Sequence, residues 1–85
     1  MNDIISEESI KVIREALNDK VKQMRAYIDN YTKDIEGMNA MFHSGEISEE
    51  LRDKMVDESI TLKQHAIDEA YKYMTAFVEF AELTR

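Results

Sequence analysis

The sequence contains no cysteine, no proline and only two glycines among its 85 residues. Without cysteine there is neither a disulfide framework nor a thiolate zinc site, so a chain this short needs another source of stability, for which oligomerisation is the usual solution. Without proline, and with glycine only at Gly37 and Gly45, the chain lacks the turn residues that sheet proteins require. We therefore expect an all-α fold.

Acidic residues outnumber basic ones by 18 to 11, which gives a formal net charge of -7. Direct binding to a nucleic-acid backbone needs clustered lysine and arginine, so we expect no contact with nucleic acid. The charge favours a basic protein partner or mimicry of a polyanion. No apolar run is long enough for a signal peptide or a membrane span, so we expect a cytoplasmic protein without a membrane contact.

The first half of the chain carries a heptad pattern. Ser6-Glu7-Glu8 supplies a helix N-cap followed by two carboxylates that suit the positive end of the helix dipole. Apolar residues then alternate at spacings of three and four, with only Arg14 breaking the line, and this repeat predicts a long helix in coiled-coil-like packing. The line consists of Ile10, Leu17, Val21, Met24, Ile28, Tyr31, Ile35, Met38 and Phe42.

A turn and a second helix follow. Gly45 suits the left-handed position after a helix, and Ser48-Glu49-Glu50 repeats the opening cap. Two helices of equal length joined by a short turn predict a long antiparallel two-helix hairpin. The predicted organisation is a single domain over 1–85, with a first helix at about 6–43, a turn at 44–47 and a second helix at about 48–84.

The second helix is apolar around most of its circumference. Its polar residues fall on one strip, leaving two apolar flanks, each wide enough for a separate neighbour. We expect the first helix to pack on one flank and a second chain or a target protein on the other. The first flank comprises Leu51, Met55, Leu62, Ala66, Tyr73 and Phe80, and the other comprises Val56, Ile60, Ile67, Tyr71, Met74 and Val78.

Five residues of the second flank form the predicted interface. Their exposure in a lone hairpin would leave several kilocalories per mole of burial unused, so we expect a homodimer that closes into a four-helix bundle. A heterologous target remains the other possible occupant. The predicted interface residues are Ile60, Ile67, Tyr71, Met74 and Val78.

Two mismatches in the apolar pattern suggest a register for the hairpin. If Phe42 faces Leu51 across the turn, Arg14 falls beside Glu79 and Lys63 falls beside Asp29. Each polar residue in the seam would then have an opposite charge as its neighbour. We expect these two ion pairs to fix the alignment of the helices.

Acidic residues are concentrated at the start of the second helix, where residues 46–58 contain six acids and two bases. Such a cluster is either a solvated helix start that suits the dipole or a docking surface for a basic partner. The predicted docking residues are Glu46, Glu49, Glu50, Asp53, Asp57 and Glu58.

The residues that could support chemistry are few. His65 has Asp68 and Glu69 at i+3 and i+4, but Leu62 stands three residues before it, where the Glu-x-x-His pair of a di-iron bundle needs a glutamate. His43, Ser44 and Glu46 are triad residue types, yet neighbours in one turn diverge where a catalytic triad must converge. We therefore expect no catalytic residue, no metal and no cofactor, and we do not expect an enzyme.

The sequence favours binding as the function. The leading interpretation is a small acidic protein-binding module that acts as an adaptor, or as an inhibitor of a larger protein, through a helical surface. The alternative is a polyanion mimic that blocks the basic groove of a nucleic-acid-binding protein. The two interpretations differ in the surface that they use, apolar in the first and acidic in the second.

Overall fold

Two long helices lie side by side and antiparallel in the computed structural model, which describes residues 6–85. Helix α1 spans Glu7–His43 (37 residues) and helix α2 spans Glu49–Leu83 (35 residues). The molecule measures 64 × 15 × 13 Å. The predicted all-α hairpin is confirmed. Residues 1–5, which the sequence analysis includes in the domain, lie outside the described part.

Each helix begins at a serine cap that the sequence marks. The Ser6 hydroxyl accepts a hydrogen bond from the Ser9 backbone N–H at 3.1 Å, and the Ser48 hydroxyl accepts one from the Leu51 N–H at the same distance. Two glutamates occupy the first turn of each helix, where the dipole favours negative charge. These local hydrogen bonds fix where α1 and α2 start, independently of any tertiary contact.

The turn ends α1 in a Schellman arrangement around Gly45. The Gly45 N–H donates to the Phe42 carbonyl at 3.0 Å, and the Glu46 N–H donates to the Met41 carbonyl at 2.9 Å. Gly45 has a φ of 83°, a conformation that costs a residue with a Cβ atom about 1–2 kcal/mol. The Ser44 hydroxyl donates to a Glu46 carboxylate oxygen at 2.8 Å, which further closes the turn.

The predicted seam of α1 faces α2. Val21 is buried and the remaining members of the seam are half-buried, including Arg14, which interrupts the apolar pattern. The helix continues unbroken through Gly37, as the uninterrupted seam predicts. Its heptad repeat therefore identifies the packing face of α1 from sequence alone.

The packing face of α2 lies between the two flanks that the sequence defines. It takes residues from both flanks, whereas Leu51 and Leu62, predicted to face the first helix, are exposed. That assignment was wrong because a single partner helix covers only the middle of a wide apolar arc and leaves both margins in solvent. The packing face of α2 consists of Arg52, Val56, Ser59, Lys63, Ala66, Ala70, Tyr73, Phe77, Phe80 and Thr84, all buried or half-buried.

The predicted ion pairs across the hairpin do not form. The Arg14 side chain donates from Nη2 to Thr84 Oγ1 at 3.3 Å, while Glu79 lies in the exposed polar strip of α2. Within the described residues, the one ion pair joins Arg52 Nε to Oδ1 of its neighbour Asp53, at 2.7 Å. The prediction that these two ion pairs fix the alignment was therefore wrong.

Contacts of Arg52 join the helices near the turn instead. Its guanidinium carbon lies 4.3 Å from the centroid of the Phe42 ring, and its Nη1 donates to Asn39 Oδ1 at 3.2 Å. A guanidinium stacked on an aromatic ring shields that ring while its N–H groups remain available to polar partners. Phe42 thus lies beside the first turn of α2, close to the predicted alignment with Leu51.

The hairpin has very little interior. Within residues 6–85 the buried apolar side chains are Val21, Ala66 and Ala70, and no large side chain is fully buried. The whole chain exposes 6505 Å². A compact monomer of 10.0 kDa exposes about 5,200 Å². A lone hairpin therefore leaves much more surface in water than a compact protein of its mass.

The two glycines provide a matched pair of stability tests. Gly45→Ala should lower the free energy of unfolding by about 1–2 kcal/mol, because the added Cβ disfavours the left-handed conformation. Gly37→Ala should raise it by about 0.5–1 kcal/mol, because Gly37 lies inside α1 with no neighbour that the methyl group would meet. Urea unfolding followed by circular dichroism at one protein concentration measures both. Equal effects at the two sites would contradict this turn geometry.

Arg14 provides a second test of packing. Among the described residues its Nε is buried without a hydrogen-bond partner, and Thr84 Oγ1 keeps a second hydrogen bond, to the Phe80 carbonyl, when the arginine is removed. Arg14→Leu should therefore raise the free energy of unfolding by about 1 kcal/mol. Lys22→Leu, an exposed control on the same helix, should change it by less than about 0.5 kcal/mol. A loss of stability in Arg14→Leu would show that the guanidinium is well paired.

Candidate functional site

The most prominent surface feature is an apolar ridge along α2, made of the five predicted interface residues. Tyr71 is 66% exposed, Val78 55%, Ile60 50% and Met74 40%, and Ile67 is half-buried. Isolated exposed apolar residues are common on proteins, whereas a continuous line of them is unusual and makes this ridge the candidate interaction surface. The structure thus brings together all five residues that the sequence nominates.

The ridge is a second heptad seam on the same helix. Each of its positions lies one residue after a position of the packing face, so the ridge is rotated from α1 by about 100°. Gln64 and Ala81 complete the alternating spacing of three and four, although neither is among the predicted interface residues. The one-residue offset is the signal that could have revealed them. In order, the second seam reads Ile60, Gln64, Ile67, Tyr71, Met74, Val78 and Ala81.

The opposite margin of α2 also has exposed leucines, but charges interrupt it. Leu51, Leu62 and Leu83 are exposed there. Between these leucines, the positions at alternating spacings of three and four hold four charged residues and one histidine. The ridge, by contrast, contains no charged residue from Ile60 to Ala81. Of the two margins of α2, the ridge is therefore the one whose continuous surface can be removed from water without burying charge. The interrupting residues are Glu58, His65, Glu69, Lys72 and Glu79.

On the ridge side, α1 contributes polar residues. A shallow groove beside Met74 and Val78 is closed on its far side by Asn18 and Arg25 of α1, with Val21 and Phe77 at its floor. A second groove runs along the ridge itself between Tyr71, Met74, Thr75, Val78 and Glu79. The apolar contribution to this face comes from α2, and α1 provides a polar rim.

The predicted acidic docking surface lies near the turn, and all six of its residues are exposed. Of the two bases in this segment, Arg52 is half-buried on Phe42 and pairs with Asp53, while Lys54 is exposed. The inward position of Arg52 leaves the outer surface more acidic than the sequence count implies. This surface can attract cations or a basic protein, at a strength that salt reduces.

The residues considered for chemistry do not converge. His65 is exposed, and its neighbour Gln64 donates to Asp68 Oδ1 at 3.0 Å. In the turn, Ser44 and Glu46 bond to each other, as caps do. Across residues 6–85 no three side chains from histidine, cysteine, aspartate and glutamate are grouped as metal ligands would be.

Neither α1 nor α2 contains a stretch long and apolar enough to cross a bilayer. No protein-family model matches the sequence, and neither a curated protein nor a solved structure matches it.

Proposed function

We propose that this chain is a small acidic protein-binding module that acts as an adaptor, or as an inhibitor of a larger protein, through the surface of its helices and not through catalysis. The observation that supports this most directly is the uninterrupted apolar ridge of α2, four of whose five residues are exposed. Such a surface is typical of helix-mediated protein recognition. The proposal keeps the cytoplasmic location that the sequence predicts.

The free energy available from covering the ridge is large for a protein of this size. Full burial of one large apolar side chain contributes roughly 1.5–3 kcal/mol. Covering the remaining half of five such residues would contribute several kilocalories per mole, which is comparable to the whole stability of a small domain, about 5–15 kcal/mol. Covering the ridge would therefore contribute a free energy of the same order as the stability of a typical small domain.

The residue types suit recognition as well as burial. Tyr71 carries an aromatic ring and a hydroxyl at the centre of the ridge, and tyrosine is among the residues that most often dominate interface energetics. Met74 is flexible and polarisable, which lets it adapt to the shape of a partner. The ridge therefore combines an anchor with an adaptable neighbour.

A capture experiment tests the proposal. Immobilised wild-type protein should retain a specific protein, either a foreign one or a further copy of this chain, from a lysate of the source cells. The double variant Ile67→Asp with Val78→Asp should lose it, because two carboxylates would be buried at the contact. The retained protein should remain bound as the salt concentration rises, since apolar contacts are not screened.

The matched control is Ala16→Asp with Ala26→Asp, which adds the same charge at exposed positions of α1. It should retain the same protein as the wild type. Circular dichroism verifies that each variant is helical. Retention of the same proteins by the wild type and by the ridge variant, Ile67→Asp with Val78→Asp, would contradict the proposal.

The second candidate function is mimicry of a polyanion, supported by the six exposed carboxylates near the turn. A basic groove that binds phosphates would accept closely spaced carboxylates, and this binding would weaken steeply with salt. The chain itself would not bind nucleic acid, because the basic residues of α1 alternate with acids.

Charge reversal separates the two candidates. Replacing Glu50, Asp53 and Asp57 by lysine should abolish binding of a mimicry target while changing the thermal unfolding temperature little, since these residues are exposed. The ridge variant should leave such binding intact. Unchanged binding of the captured protein by the charge-reversed variant at low salt would rule out mimicry.

A further inference from the structure

The ridge of α2 matches itself. We infer that its occupant is a second copy of this chain, whose α2 packs antiparallel on the first about a two-fold axis at the level of Glu69. This inference rests on the proposed use of the ridge as a protein interface and names the partner. It follows from the spacing of the ridge, the excess surface of the chain and the position of the acidic cluster.

The spacing provides the first argument. The seam has two positions in each heptad. In an antiparallel helix pair, a residue at one of these positions meets a residue at the other position on the partner helix. With the axis at Glu69, Ile60 lies opposite Val78 of the second copy and Ile67 lies opposite its Tyr71. Each contact occurs twice, as an isologous interface requires. Four of the five ridge residues are thereby paired with one another, and Met74 meets Gln64.

The area provides the second argument. The exposed 6505 Å², a total that includes residues 1–5, exceeds the value for a compact monomer of this mass by about 1,300 Å². An interface of standard size hides about 800 Å² on each partner. With the axis at Glu69 the part of the seam that pairs with itself runs from Ile60 to Val78, about 28 Å or nearly three heptads, and Ala81 lies opposite Asp57 of the second copy. One such interface would remove most of the excess.

Charge decides the direction of the second copy. A parallel arrangement would place the two acidic docking surfaces side by side, with six acids and two bases in each over residues 46–58. The antiparallel arrangement separates them by roughly 50 Å along the helices, well beyond the screening length of about 8 Å at physiological salt. It also brings Asp53 to the level of Arg85 of the second copy.

The contact stays confined to α2. On the ridge side α1 presents only polar residues at the corresponding heptad positions, so the two copies of α1 have no apolar surface with which to close a dry bundle. The dimer has a dry line between the two α2 helices and a wet rim along both α1 helices. The α1 positions concerned are Lys11, Glu15, Asn18, Lys22, Arg25, Asp29, Thr32, Glu36 and Asn39.

The first measurement is the mass in solution. Size exclusion coupled to light scattering should give twice 10.0 kDa for the wild type at tens of micromolar. Ile67→Asp with Val78→Asp should weaken dimerisation by roughly a hundredfold or more and give a monomer, because buried carboxylates oppose association. The control Ala16→Asp with Ala26→Asp should remain a dimer. A well-folded wild-type monomer would overturn the inference.

Cysteine cross-linking tests the direction and does not depend on the folding of the double variant. The chain has no native cysteine, so disulfides report only on introduced pairs. When Ile67→Cys, carrying a size tag, is mixed with untagged Tyr71→Cys, air oxidation should give chiefly the mixed disulfide. Each variant alone should cross-link poorly. Efficient cross-linking of Ile67→Cys to itself would indicate a parallel dimer and overturn the antiparallel register.

The control pair is His65→Cys with Lys72→Cys. These two residues lie at about the same height along α2 as Ile67 and Tyr71, but on its exposed polar strip. It should give no mixed disulfide above background. These outcomes are separable from those of the capture experiment. A wild-type monomer whose ridge still retains a foreign protein overturns the second-copy inference and leaves the proposed function standing. Because the dimer covers the ridge, a dimer that retains no foreign protein contradicts only the adaptor or inhibitor role, and a dimer that retains one must hold it through a surface other than the ridge.

Discussion

A pair of helices can bury only one line of residues on each helix, and the rest of this structure depends on that limit. The packing face of α2 occupies a single seam, while its apolar residues cover a much wider arc. Apolar residues outside the seam therefore stay in water however well the hairpin forms. The exposed ridge is the direct consequence of placing a broadly apolar helix in a two-helix fold.

The two ends of the hairpin are held by different interactions. Near the turn the packing face of α2 carries Ser59 and Lys63, so order there depends on the caps, the Gly45 turn and the stacking of Arg52 on Phe42. Towards the open end, aromatic residues such as Phe77 fill the seam. Burial of the seam therefore acts along the whole hairpin, and near the turn local hydrogen bonds and the stacking of Arg52 add to it.

The two candidate surfaces are physically distinct and do not overlap. The ridge occupies the middle and open end of α2 without a charged residue, whereas the acidic docking surface lies at the turn and the start of α2, where all six of its residues are exposed. Burial of apolar area is insensitive to salt, while attraction between exposed charges is screened. A module built in this way can use one surface for assembly and leave the other for a partner of opposite charge.

The sequence by itself determined where the helices start and stop and which face of α1 packs, because caps, the Gly45 turn and a narrow heptad line are local features. It also identified the ridge residues as a group. It could not determine the rotation of α2, since a helix apolar over most of its circumference has no single preferred face. Only packing against α1 selected the middle of that arc, moving Leu62 into solvent and Lys63 into the seam. The predicted partners of Arg14 and Lys63 were wrong for the same reason: charges find neighbours only after the apolar faces have set the rotation of the helices.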